Sequence, residues 1–155
     1  MEDNLNLYRQ LDLNITIKDT IPINNAIDEL ISKLAIANTN QRIASHHLKM
    51  ILLNIYQNYY TNRKMFTGFH QNKNRYNTSS RYNKNNVSHK ITKVVNALRD
   101  KGYIDFHNGF NSKNAWIPSR TSRIRGKKKL IILMNKHKVN NNQIDKLPNT
   151  ESIIV

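Results

Sequence analysis

The chain has 155 residues, the size of one domain, and its 25 Lys+Arg against 10 Asp+Glu give a net charge of +15 at a mean hydropathy of −0.69. It has no cysteine, which excludes a disulfide scaffold and thiolate zinc sites. No apolar run approaches the roughly 20 residues of a membrane span, and the acidic start Met1-Glu2-Asp3-Asn4 is unlike a secretory leader, so none is expected. The expectation is a soluble, cytoplasmic protein with one modest core and a polyanionic partner.

Residues 1–20 alternate weakly, as in Leu11-Asp12-Leu13-Asn14-Ile15-Thr16-Ile17, and read as an edge strand or an unstructured arm. After Pro22, the spacing of Ile27, Leu30, Ile31 and Leu34 predicts a helix over 24–37, with Asp28 and Glu29 in its first turn. Asn38-Thr39-Asn40 breaks it, and Asn40 is an N-cap for a long helix over 41–60. The apolar stripe of that helix is Ile43, Leu48, Ile51, Leu52, Ile55, Tyr56 and Tyr59. Met65–Phe69 is a short apolar island, read as a strand or turn, and a short helix is expected near 78–85.

Ser88 is the expected N-cap of a helix over 89–101 that turns Ile91, Val94, Val95 and Leu98 to one side. Gly102 supplies the left-handed residue that ends it. Tyr103–His107 alternates as a half-buried strand before the Asn108-Gly109 turn. Ala115-Trp116-Ile117, stopped by Pro118, reads as a short strand, and Leu130–Met134 as a buried one. The composition of 139–155 predicts a disordered tail.

The charge is not spread evenly. Residues 1–61 carry a net −1 and 139–155 a net −1, whereas 62–138 hold nineteen basic residues against Asp100 and Asp105, a net of +17. Asparagine, of which there are 25, and lysine have AT-rich codons, so part of their abundance is discounted as evidence of function, but codon bias does not explain this placement. A 77-residue block holding all the excess is the electrostatic footprint of a phosphate binder.

The order of elements, together with the run Val87-Ser88-His89-Lys90-Ile91 to Leu98-Arg99-Asp100-Lys101-Gly102-Tyr103-Ile104, resembles a winged helix-turn-helix over roughly 45–134. In such a helix Leu98 anchors on the core, Gly102 permits the sharp exit, and Tyr103-Ile104 opens the first wing strand. Ser122-Arg123-Ile124-Arg125, and Asn74-Arg75-Tyr76 with Arg81-Tyr82-Asn83, are also weakly similar to plasmid- and phage-type replication proteins. The resemblance implies an α+β fold with extra N-terminal helices in three parts. These are an arm and helix over 1–40, a winged-helix DNA-binding domain over 41–138, and the tail.

At 100° per residue, the outward side of the 89–101 helix presents His89, Thr92, Lys93, Asn96 and Asp100, with Ser88 and Lys90 at its start. Asn96 suits an adenine edge and Lys93 a guanine or a phosphate. The wing and loop candidates are Arg75, Arg81, Lys84, Arg120, Arg123, Arg125, Lys127, Lys128 and Lys129. The arginines at 120, 123 and 125 would reach phosphates or a minor groove. Tyr76 and Tyr82 either pack beneath the loop or stack on bases.

Catalysis is not expected. Asp100 and Asp105 are separated by a helix end and a glycine, and His46-His47 point about 100° apart. The six histidines show no ligand spacing, and no phosphate-loop motif exists. No cofactor or metal is expected. The reading is a non-catalytic protein binding double-stranded DNA, in replication initiation or maintenance of a plasmid or phage-like element. The alternatives are a transcriptional regulator or an RNA-binding basic protein. The stripes of 24–37 and 41–60 serve either a monomer core or a homodimer.

Overall fold

The computed structural model describes residues 8–36, 40–110, 121–140 and 144–146. Within them the chain is α+β, with six helices, a four-stranded mixed sheet and a two-stranded sheet. No helix among the described residues is long and apolar enough to cross a membrane.

The centre is helix α2 (Gln41–Thr61), following α1 (Thr20–Leu34). Asn40 caps α2 as expected, its side chain accepting from the Arg42 amide at 2.8 Å. The six residues Ile51 to Tyr56 are all buried, so α2 is covered on every side rather than along one stripe. Its two buried amides bind the segment at Asp12 and the strand that holds Thr67. Asn54 accepts from the Asp12 amide at 2.7 Å and donates to the Asp12 carbonyl at 3.0 Å, and Asn58 donates to Thr67 Oγ1 at 2.8 Å. Helix α1 begins four residues before the expected start. Pro22 sits in its first turn, where amides are unpaired in any helix, and Asp19 caps it. It ends at Leu34, where Ala35 turns left-handed with φ 47°.

Strands β1 (Tyr8–Gln10) and β2 (Ile15–Ile17) form in the N-terminal arm. After α2 come β3 (Phe66–Gly68), the short helices α3 (Lys73–Thr78) and α4 (Ser80–Lys84), α5 (Ile91–Asp100), β4 (Ile104–His107) and β5 (Arg123–Gly126). The sheet order is β1-β3-β5-β4, with β1 parallel to β3 and the other pairs antiparallel. The β4–β5 register places Asp105 opposite Arg125 and Phe106 opposite Ile124. A Cβ on Gly126 would lie 2.8 Å from Ile55 Cγ2. Positions 124 and 126 of β5 therefore face α2, and 123 and 125 face the other side of the sheet.

Three expectations are corrected. Leu130–Met134 is not a strand but lies in helix α6 (Lys128–Lys136). Leu130, Ile131, Leu133 and Met134 are buried while Ile132 is 57% exposed, a helical pattern that five consecutive apolar residues conceal in the sequence. The strand pairing with β4 is Arg123–Gly126, in place of Ala115–Ile117 or Leu130–Met134. The tail expected from 139 onward carries a buried Val139 and strand β6 (Ile144–Lys146), which pairs antiparallel with β2. The Tyr56 hydroxyl, 2.8 Å from the Val139 carbonyl and 2.6 Å from Asn135 Oδ1, holds the chain after α6. The helix expected near 78–85 is the pair α3 and α4. The strand expected at Ala115–Ile117 lies outside the described residues.

Candidate nucleic-acid interface

Helix α5 starts two residues later than expected. Ser88, His89 and Lys90 form a tight turn instead, in which the Ile91, Thr92 and Lys93 amides each donate to the carbonyl three residues back, at 3.0 Å. The Ser88 hydroxyl still accepts from an entry amide, that of Lys90, at 3.3 Å. At the other end the Tyr103 amide donates to the Leu98 carbonyl at 2.9 Å and the Gly102 amide to Arg99 at 3.0 Å, with Gly102 at φ 78°. This paired closure stops the helix and launches β4, as the sequence predicts.

The turn is anchored from below by a residue not singled out as a functional candidate. His47, on α2, is fully buried, and its Nε2 accepts from the Ser88 amide at 3.1 Å. Burial, with His46 and Lys90 nearby, pushes its pKa down to about 4. The bond itself requires Nε2 to be unprotonated. The signal was the adjacent pair His46-His47, since two neighbours on a helix face in different directions.

The inward side of α5 is as expected: Ile91, Val94, Val95 and Leu98 are buried. Asn96 is exposed, and Lys93 is half-buried beside the end of α1, in a shallow groove with Leu34 and Ile36. Thr92 donates to the His89 carbonyl at 2.7 Å. His89 is corrected: its ring turns back, Nε2 lying 2.9 Å from the Gln71 carbonyl and the ring 5.9 Å from that of Tyr76. It precedes the regular helix, so the helical projection does not apply to it. Arg99 was missed; it is exposed on the same helix, 3.1 Å from Asp100 and 5.3 Å from the Phe106 ring of β4. Its spacing three residues after Asn96 was legible.

The wing and loop candidates divide. Arg75, Lys84, Lys127 and Lys128 are exposed. Lys129 is exposed but donates to the Lys101 carbonyl at 2.8 Å and lies 4.3 Å over Tyr103. Three arginines expected on phosphates are instead held by the fold. Arg81 donates to the Leu11 carbonyl at 2.6 Å. Arg123 is 2% exposed with its guanidinium 5.8 Å from the Tyr8 ring. Arg125 lies 4.5 Å over Phe66 and 3.1 Å from Asp105, its neighbour across the sheet. β5 is an interior strand with covered faces, which a run of basic letters does not disclose. Tyr76 and Tyr82 pack rather than stack on bases: both are buried, with rings 4.5 Å apart, and Tyr76 donates to the His70 carbonyl. Arg120 and Trp116 lie outside the described residues.

Among the described residues no three His, Asp or Glu side chains converge into a metal-binding group. Comparison with protein-family models, with curated proteins and with solved structures returns no match.

Proposed function

We propose that the chain is a non-catalytic, winged-helix protein that binds double-stranded DNA, with α5 in the major groove and basic residues of the 62–138 block on flanking phosphates. The observation that carries this reading is the succession α2, β3, α3–α4, α5, β4, β5, closed by the sheet order β3-β5-β4. It leaves α5 with one anchored side, with Asn96 and Arg99 exposed on the helix and Lys90 and Lys101 exposed at its two ends. A ten-residue helix spans about 15 Å, enough to cross a major groove about 12 Å wide. Affinity then comes from counterion release by the exposed Lys and Arg, and base preference from Asn96 with Lys93 beside it. The weak resemblance to plasmid- and phage-type replication proteins favours replication initiation or maintenance over transcriptional control.

The test is duplex binding followed by anisotropy across salt. Log affinity should fall with log salt at about −0.9 per phosphate neutralised. Replacing both Lys93 and Asn96 by alanine should weaken a selected site more than a random duplex. No duplex binding, or a stronger preference for structured RNA at moderate salt, overturns the reading. Bound sites in iterated repeats beside an origin support the replication role, and promoter sites overturn it.

A further inference from the structure

An open groove of about 760 Å³ lies beside the start of α5, where three elements meet. Arg42 and His46 come from the first turns of α2, Asn83 from α4, and Asn86, Ser88 and Lys90 from the α4–α5 connection. No carboxylate lines it. Arg42, Asn83, Asn86 and Lys90 are exposed, and among the described residues neither Arg42 nor Lys90 makes an ion pair. The walls are held in place. His46 Nε2 lies 2.9 Å from the Asn85 carbonyl, the Asn86 backbone turns at φ 56°, and His47 holds Ser88 from beneath.

We propose that this groove seats the sugar-phosphate backbone of a DNA duplex, with Arg42 and Lys90 on one phosphate and the Asn83 and Asn86 amides as neutral donors. The inference rests on the DNA-binding reading and adds a residue from outside the basic block. Arg42 belongs to the net-acidic first 61 residues, so charge distribution alone passes over it. A helix entering the major groove by its first turn lies between two backbones, and a cationic groove at that turn meets one of them. Guanidinium matches phosphate in a two-bond fork, and an amide donor beside it adds to the same oxygens.

The experiment measures affinity for a short random-sequence duplex against salt. Arg42→Gln should weaken binding about three- to tenfold at low salt and flatten the slope by about 0.9. Arg42→Lys keeps the charge and should retain most of the slope. Lys33→Gln removes the same charge from α1, outside the basic block, where Lys33 binds Glu29 at 2.7 Å, and should leave the slope unchanged. The cap of α2 survives in the Arg42 variants, because Asn40 bonds the backbone amide and not the side chain. Wild-type binding with an unaltered Arg42→Gln slope overturns the groove and leaves the DNA reading standing. An equal loss in Lys33→Gln also overturns it, by reducing the effect to net charge. A wild-type chain that binds no duplex overturns both.

Discussion

Helix α5 and strand β5 are both rich in charge, and the fold treats them in opposite ways. α5 buries one side and leaves Asn96, Arg99, Asp100 and Lys101 in water. β5 runs between β3 and β4, and its two arginines are drawn against Tyr8, Phe66 and Asp105. A helix at a surface has a free side by its geometry, whereas an interior strand has none unless the sheet is bare. Counting basic residues therefore overstates what β5 offers a polyanion.

The contrast has measurable edges. The largest effect lies beneath α5. Unfolded His47 titrates near 6.5 and folded His47 near 4. Between those values the unfolded chain takes up the proton. The contribution is full above pH 6.5, falls as pH drops toward 4, and is flat below. Chemical denaturation across this window should lose up to about 3 kcal/mol, and His47→Gln should flatten that loss. An unchanged profile would mean that α5 is not held by this imidazole. Glu29 acts in a lower window. Its hydrogen bonds to Lys136, Lys33 and His137 hold its carboxyl down to about 2, so the ties of α1 to α6 weaken only as pH falls below 4.5.

Next, Arg125→Ala should destabilise the fold by about 2 kcal/mol, because it removes the shorter of the two ion pairs of Asp105, leaving Lys127 at 3.8 Å, and uncovers Phe66. A change under about 0.5 kcal/mol in urea unfolding would return Arg125 to the surface and dissolve the contrast. Gly102→Ala should cost about 1 kcal/mol. Nothing lies within 4 Å of the added methyl, so the cost is that of the left-handed backbone alone. The smallest effect sharpens the other side: Asn96→Ala should leave stability within about 0.5 kcal/mol while reducing duplex selectivity.

The legible parts of the sequence were those whose periodicity or end signals are settled locally. The extent of α2 with its Asn40 cap and the Gly102 exit read correctly from end signals, and the inward residues of α5 and strand β4 from a definite polar and apolar period, whereas the burial of α2 on every side did not show. α6 was misread because Leu130–Met134 has no polar residue to set a period. The three-residue strands β1, β2 and β6 depend on distant partners. At the candidate interface, Asn96 was found from helical geometry. The inward turn of Arg81, Arg123 and Arg125 depends on aromatic neighbours and carbonyls far along the chain, which no local pattern announces.

The Asn54 carboxamide both gives to and takes from the backbone of a single residue, Asp12. Such a clasp has only one notch. Sliding the arm by one residue would set Leu11 and Leu13 on the wrong sides and leave the amide opposite a peptide facing away. The position of β1 on the sheet, and with it the Tyr8 ring that covers Arg123, is thereby keyed to one side chain at the middle of α2.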